Sequence, residues 1–226
     1  MYVTFSMEQQ PFSYTPFFKV PRKILTNAPN NRRYPSSANL FREGDKAEHV
    51  YEVKSGVLRL ARVLANGRRQ VIAFGLPGDI VGFPNGDFYH TDCDVVSSAE
   101  VIAHRLSELE SAKGDLEVHR RLMKAALREI SCMQDHVMML ACKSAMEKVA
   151  SFLCVLSLRT GTPSSNYTVF SLPMCRADIA DFLGLTIETV CRMFSLLRKE
   201  GTIALNTPQT VVVLDMEALT DASQSD

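Results

Sequence analysis

The sequence lacks the marks of a secreted or membrane-inserted protein. None of its apolar runs approaches the roughly 18 residues that a membrane-spanning helix needs. The first ten residues, MYVTFSMEQQ, contain neither the basic region nor the apolar stretch of a signal peptide. We therefore expect neither secretion nor membrane insertion, and we expect the protein to be cytoplasmic.

Cysteine is absent from the first 92 residues, and no two cysteines have the spacing C-x-x-C. A structural zinc site is therefore not expected. Without a secretion signal, the cysteines should be free thiols in a reducing compartment. The six are Cys93, Cys132, Cys142, Cys154, Cys175 and Cys191.

An excess of charge of either sign is also lacking, because 25 Lys and Arg residues balance 25 Asp and Glu residues. Taken alone, neutrality argues against a nucleic-acid partner, since proteins that bind phosphate backbones are usually basic somewhere. The regions differ, however. Residues 1–70 carry 12 basic and 5 acidic side chains, residues 71–142 carry 6 and 11, and residues 143–226 carry 7 and 9, with four of those nine acids in the last twelve residues. The net charge of zero therefore sums regions of opposite charge, and it does not exclude a DNA partner.

The pattern of turns and periodicities predicts an α+β protein with several segments. Residues 1–36, rich in Pro, Asn and Ser, are expected to form a poorly packed arm. Residues 37–107 alternate short β-rich runs with glycine turns, which is typical of an antiparallel β-roll. Asn66-Gly67 predicts a hairpin with a type I′ turn, and residues 95–106 supply another strand or two.

Residues 108–142 are predicted to form a long helix with an apolar seam. The seam consists of Leu116, Met123, Leu127, Ile130, Val137 and Leu140, four of which lie seven residues apart. One interpretation is a helix buried in a single-chain core. Because the seam continues for nearly four heptads beside a separate β domain, we favour a dimerisation helix.

Residues 143–218 read as helix, strand, helix, turn, helix and hairpin, which predicts a winged helix-turn-helix domain, with the helix-turn-helix at 175–194 and a tail at 219–226. Gly184 allows the sharp turn, and Thr186 is placed as the N-cap of the second helix. Val190, Phe194 and Leu197 recur at helical spacing and should face the core.

The remaining face of the second helix is the predicted DNA-contact set, which consists of Ile187, Glu188, Thr189, Cys191, Arg192 and Ser195. Glu188 and Arg192 lie four residues apart, so they could form a salt bridge on a solvated helix. They could instead read bases, because arginine matches guanine O6 and N7 and glutamate accepts from cytosine N4. At the start of the second helix, ahead of a hairpin wing, we favour base readout.

Over residues 37–218 the chain resembles the cAMP-receptor-protein/FNR (CRP/FNR) family of bacterial transcription regulators. The glycine-punctuated roll, the long helix and the segment ADIADFLGLTIETVCRMFSLLRKEGTI carry the resemblance. The E-x-x-C-R pattern of 188–192 looks most like the FixK subgroup. The resemblance implies a homodimeric transcription activator that reads a TTGAT-type palindrome and engages RNA polymerase. It also implies control of microaerobic, respiratory or nitrogen-metabolism genes. It also implies that Glu188 and Arg192 contact bases, with Cys191 where FNR has serine.

The chain departs from this family in the ligands that its relatives bind. The roll has no arginine between Arg69 and Arg105, so we expect no cyclic AMP, whose phosphate would lack a bidentate partner. The cysteine-free N-terminus excludes the FNR iron–sulfur arrangement. His90, Asp92, Cys93 and Asp94 could bind a metal, but a polar loop explains them equally well.

We therefore predict no cofactor and no metal. The alternative function is a ligand-gated sensor whose roll binds a nucleotide or haem. An enzyme is not expected, since no nucleophile elbow, phosphate loop or metalloprotease helix occurs.

Cys191 is also a candidate redox switch. Its position near a helix N-terminus and beside Arg192 favours a reactive thiol. Oxidation would place negative charge against DNA phosphates and bases, so we expect oxidation to switch DNA binding off.

Overall fold

The computed structural model describes residues 31–107, 116–164 and 166–224. The N-terminal part is an antiparallel β-roll, as the sequence predicts. Its strands are β1 (Asn31–Tyr34), β2 (Asn39–Phe41), β3 (His49–Val63), β4 (Arg69–Gly75), β5 (Ile80–Val81) and β6 (Asp92–Arg105). They form one sheet in the order β1-β6-β3-β4, with β2 beside β6 and β5 beside β3.

The interior of the roll is a compact apolar core in which aromatic rings stack. Phe41 lies against Tyr89 with ring centroids 3.8 Å apart and against Tyr51 at 5.9 Å. Gly56 has a positive φ of 80°, and a Cβ there would lie 2.3 Å from the carbonyl oxygen of Ser98. Only glycine therefore lets β3 and β6 approach so closely at this point.

Two predictions for the roll need correction. The β3–β4 hairpin forms, but its turn is not type I′. A type I′ turn needs positive φ at both Asn66 and Gly67, and within the described residues Ser37 is the one non-glycine residue with positive φ. The turn is instead a longer loop in which the Gly67 N–H donates to Leu64 C=O, and only Gly67 is left-handed. The predicted arm at 1–36 also needs correction. Residues 1–30 lie outside the described residues, but residues 31–34 form β1, which pairs with β6.

Two consecutive helices follow the roll. Helix α1 spans Leu116–Cys142, and residues 108–115 of the predicted helical segment lie outside the described residues. Helix α2 spans Ala145–Thr160. It begins with a capping box, in which the Ser144 side chain accepts from the Glu147 N–H and the Glu147 carboxylate accepts from the Ser144 N–H.

The C-terminal part is a winged helix-turn-helix. Its elements are β7 (Thr162–Ser164), β8 (Tyr167–Ser171), α3 (Arg176–Leu183), α4 (Ile187–Lys199), β9 (Ile203–Thr207), β10 (Thr210–Val213) and α5 (Met216–Ala222). The strands form a sheet in the order β7-β8-β10-β9, and β9 and β10 form the predicted wing hairpin.

The predicted tail at 219–226 is wrong in its first part. Asp215 caps α5, whose Leu219 is fully buried and belongs to the core of the domain. The sequence pattern missed this helix because it is only seven residues long. Residues 225 and 226 lie outside the described residues.

The roll and the helix-turn-helix share an apolar contact. Val57 and Leu76 of the roll belong to the same buried cluster as the core of the C-terminal domain. Phe74 of β4 packs against Phe152 of α2 and Phe182 of α3, with ring centroids 6.2 and 5.2 Å apart. The two parts therefore meet through packed side chains as well as through α1. Among the helices described, none is long and apolar enough to cross a membrane.

Candidate nucleic-acid interface

The turn between α3 and α4 fixes where the recognition helix α4 begins. Gly184 ends α3 in the left-handed conformation (φ 63°, ψ 38°), where glycine pays no steric cost. Thr186 then caps α4, and its hydroxyl accepts from the Thr189 N–H at 3.2 Å. The buried face of α4 consists of Val190, Met193, Phe194 and Leu197. This confirms the three predicted core residues and adds Met193.

Burial of that face leaves the opposite side of α4 open to solvent. Five of the six predicted DNA-contact residues are exposed, and Thr189 is half-buried. The exposed five are Ile187, Glu188, Cys191, Arg192 and Ser195. The structure thus places the whole predicted set on one continuous surface at the first turns of α4.

Glu188 and Arg192 do not pair with each other. Within the described part of the chain, no ion pair joins them. A hydrogen bond from its own backbone N–H and one from Thr186 instead lower the pKa of Glu188 below its ordinary value. The salt-bridge alternative is therefore not realised in the structure.

Two smaller side chains of the set already make hydrogen bonds inside the helix. The Ser195 hydroxyl donates to the Cys191 carbonyl at 2.9 Å. The Thr189 hydroxyl lies 3.1 Å from that of Thr186. Since the Ser195 proton is used internally, its oxygen presents lone pairs and can accept from a base amino group.

Basic side chains flank the exposed face of α4. Arg198 and Lys199 occupy its last turn and are exposed. Arg176, the first residue of α3, holds its guanidinium 3.8 Å from the centre of the Phe194 ring. Such cations suit contacts to phosphates on either side of a groove, which position a helix without reading sequence.

Helix α1 presents an uncovered apolar seam. Of its described residues only Leu122 and Met139 are buried. Five of the six predicted seam residues are exposed, namely Leu116, Met123, Leu127, Ile130 and Val137, while Leu140 is half-buried. The alternative of a helix buried in a single-chain core is therefore wrong, because a stripe of this length stays open to solvent in one chain.

Aromatic side chains occupy part of the roll interior. Phe41 fills the space beside Gly82, where its ring lies 3.0 Å from the position of an added Cβ, and the Tyr89 hydroxyl donates to His49 C=O at 2.6 Å. The strands and turns between Arg69 and Arg105 supply no guanidinium for a phosphate.

Of the four metal-capable residues, Asp92 and Asp94 have structural partners and Cys93 is buried, whereas Nδ1 of His90 is buried without a hydrogen-bond partner. Asp92 accepts from the Glu43 N–H at 2.9 Å, Arg59 holds both oxygens of Asp94, and burial raises the pKa of the Cys93 thiol. Across residues 31–107, 116–164 and 166–224, no three His, Cys, Asp or Glu side chains come together as a metal site.

A cavity of about 440 Å³ lies where β4, β5, α1 and α2 meet. Phe74, Val81, Glu129, Cys132, His136 and Phe152 are among its lining residues. One carboxylate oxygen of Glu129 and Nδ1 of His136 are buried there without a hydrogen-bond partner. Burial, with the nearby charge of Asp79, raises the pKa of Glu129 to about 7.

Residues 31–112 match a cyclic nucleotide-binding domain model, and residues 147–222 match a Crp-like helix-turn-helix domain model. The nitrogen fixation regulation protein FixK of Azorhizobium caulinodans is 39% identical over 201 residues, covering 88% of this chain and 81% of that protein. The transcriptional activatory protein AadR of Rhodopseudomonas palustris is 40% identical over 184 residues, covering 81% of this chain and 77% of that protein.

A solved structure shows the same architecture. The structure of FixK2 from Bradyrhizobium japonicum superposes with a TM-score of 0.78 at 33% identity, and the match covers 87% of this chain and 98% of that chain. The relatives named above are transcription regulators rather than enzymes. The chain therefore belongs to the CRP/FNR family of transcription regulators, is FixK-like, and carries the DNA-binding helix-turn-helix of that family.

Proposed function

We propose that the protein is a homodimeric, cytoplasmic transcription activator that reads a palindrome with TTGAT-type half-sites and engages RNA polymerase. The proposed target class is microaerobic, respiratory or nitrogen-metabolism genes, and the name of the FixK relative supports nitrogen metabolism. One observation carries the proposal: Glu188 and Arg192 stand exposed and unpaired with each other on the first turns of α4.

The chemistry of this pair suits the edges of a G·C base pair. An arginine guanidinium donates two parallel hydrogen bonds to guanine O6 and N7, and a glutamate carboxylate accepts from cytosine N4. The lowered pKa of Glu188 keeps it ionised as an acceptor at neutral pH. Because the two heads project from one side of α4, they can address neighbouring bases of one half-site.

The homodimer is supported by the seam on α1. Leu116, Leu127, Ile130 and Val137 are each more than half exposed in the single chain. A second copy packing along the same stripe would cover them and place two α4 helices in successive major grooves, about 10 base pairs apart.

Replacing Arg192 by Ala tests base readout. We expect the variant to lose about 1–3 kcal/mol of discrimination at one base position in each half-site, with little change at the others. The measurement is a set of duplexes with every base pair of the half-site substituted in turn. Arg62→Ala is the matched control, because Arg62 lies on the roll and pairs with Glu43. An equal loss on all duplexes would instead make Arg192 a phosphate contact and overturn the assignment.

We also propose that the protein works without cyclic AMP or an iron–sulfur cluster, since no arginine lies between Arg69 and Arg105 to bind a phosphate and no cysteine precedes Cys93. The alternative, a ligand-gated sensor, is favoured by one observation, the cavity with unpartnered polar atoms on Glu129 and His136. Calorimetry with cyclic nucleotides and a visible spectrum of the purified protein separate the two. Heat of binding or a haem absorption band would favour the sensor.

Cys191 is proposed as an oxidation-sensitive switch on the same surface. Its thiol is exposed and lies one residue before Arg192. Peroxide adds oxygen atoms to the sulfur stepwise and is itself reduced to water, which ends in an anionic group facing the DNA. We expect peroxide to abolish DNA binding by the parent protein and to spare Cys191→Ser. Equal losses in a gel-shift titration of the two proteins would contradict this role.

A further inference from the structure

Four charged residues tie the roll directly to the first helix of the helix-turn-helix. On the roll, Arg59 of β3 and Arg69 of β4 point at α3. On α3, Asp178 Oδ1 lies 2.5 Å from Arg59 Nη1 and 2.6 Å from Arg69 Nη2, and Asp181 Oδ2 lies 2.8 Å from Arg69 Nη2. We call Arg59, Arg69, Asp178 and Asp181 the clasp.

The clasp is held from both sides. Behind Arg59, the carboxylate of Asp94 accepts from Nε at 3.1 Å and from Nη2 at 2.5 Å, so that Asp94 fixes the plane of the guanidinium. Beside Arg69, the Gln70 amide donates to the backbone carbonyl of Asp181. Asp94 therefore orients Arg59 from within the roll, and Gln70 adds a further contact between the roll and α3.

Burial makes these ion pairs strong and geometrically demanding. The Asp178 side chain is only 5% exposed, against 34% for Arg69 and 32% for Asp181. Burial alone would raise the pKa of Asp178, but a hydrogen bond from Cys175 and the charges of Arg59 and Arg69 lower it below the ordinary value. Asp178 therefore stays ionised at neutral pH, and removing its partners would leave a buried charge uncompensated.

An apolar contact next to the clasp also joins the roll to α3. The Phe74 ring of β4 packs on Phe182, which lies on α3 one residue after Asp181, and His136 of α1 also stacks on Phe182, with ring centroids 4.3 Å apart. Helix α3 thus packs against both the roll and α1. Because α3 packs against α4, any rotation of α3 relative to α1 also rotates the recognition helix.

We propose that the clasp residues are positioning residues that set the spacing of half-sites which the dimer accepts. This inference rests on the proposed homodimer, in which α1 fixes the distance between the two rolls and the clasp fixes each recognition helix relative to its own roll. Two helices held this rigidly match two half-sites only at one separation. Inserting base pairs moves the second half-site by 3.4 Å and roughly 35° each.

The clasp residues pair across the contact between the roll and α3 rather than lying on the exposed face of α4, so their effect should differ from that of Glu188 or Arg192. A rigid dimer should bind at least about tenfold more weakly when two base pairs are inserted between the half-sites, a cost of about 1.4 kcal/mol or more. Loosening the clasp should weaken binding to the optimal site and reduce the penalty of the insertion to less than about threefold. The pattern of base preferences within one half-site should stay as in the parent.

The test measures binding of the full-length protein to duplexes with 0, 1, 2 and 3 base pairs inserted at the centre of the palindrome. The variants are Arg69→Gln and Asp181→Asn, both at partly exposed positions that tolerate the change, together with the buried Asp178→Asn. Arg62→Gln is the matched control, since its ion pair with exposed Glu43 lies within the roll. Circular dichroism melting identifies any variant that does not fold, and the two partly exposed variants then carry the test.

The expected result is a steep spacing profile for the parent and for Arg62→Gln and a flattened profile for the clasp variants, with unchanged base preferences. Parent-like profiles in Arg69→Gln and Asp181→Asn would overturn the proposal and leave the proposed function intact. Changed base preferences would also overturn it, because they would show a damaged recognition helix rather than a repositioned one. A parent that shows no dependence on spacing or palindromy would overturn the proposed homodimeric readout and the clasp with it.

Discussion

Truncation of one seam residue gives a quantitative prediction for the dimer. The Leu127 side chain lies on α1 and is 62% exposed in the single chain. Full burial of a leucine side chain is worth about 1.5–3 kcal/mol, so covering the exposed part should contribute about 1–2 kcal/mol. A two-fold dimer uses the residue twice, so Leu127→Ala should cost the dimer about 2–4 kcal/mol. The dimer dissociation constant should therefore rise about 30- to 700-fold.

Sedimentation equilibrium over a range of protein concentrations measures that constant directly. Alanine favours helix, so the substitution should leave α1 folded, which circular dichroism can verify. Leu158→Ala is the matched control, because Leu158 is 58% exposed on α2, away from the seam. We expect the control to dimerise like the parent. An unchanged dissociation constant for Leu127→Ala would refute the assignment of the seam to the dimer interface.

Two further predictions concern stability. Leu219→Ala should lower the free energy of unfolding by about 2–5 kcal/mol in a chemical denaturation experiment, because Leu219 is fully buried, and a loss like that of Leu158→Ala would contradict its place in the core. The pKa of Glu129, raised to about 7, predicts a stability that depends on pH. The folded state holds this proton more tightly than the unfolded state does, so the stabilisation is full below about pH 4.5 and is lost as the pH rises through 7. This loss in the free energy of unfolding should be on the order of 1–3 kcal/mol, and Glu129→Gln should not show it. Parallel plots of unfolding free energy against pH for the two proteins would contradict the prediction.

The sequence predicts those parts of the molecule whose cause is local. Gly184 and Thr186 mark the turn and the start of α4 because both conformations are decided within three residues. The period of the buried residues in α4 likewise depends only on the helix itself. The exposed face of α4 could therefore be predicted residue by residue, and Glu188 and Arg192 are exposed on it.

The features that sequence reasoning missed depend on contacts between distant segments. Strand β1 carries no strong β pattern and forms because it pairs with β6, about 70 residues later. The clasp joins Arg59 to Asp178 across more than a hundred residues, and its only trace in the sequence is the pair Asp178 and Asp181 in the short helix α3. The type I′ prediction was wrong for a local reason, because Leu64 and Arg68 close a loop of three residues instead of two and Asn66 does not have positive φ.

Selection of preferred sites from random DNA duplexes tests the central claim most directly. With no net charge, the protein should bind non-specific DNA only modestly, so enriched sequences should report the placed residues of α4 and the geometry of the dimer. We predict enrichment of a palindrome with TTGAT-type half-sites whose centres lie about one helical turn apart. Enrichment of single, unpaired half-sites, or no enrichment over the starting pool, would contradict the account.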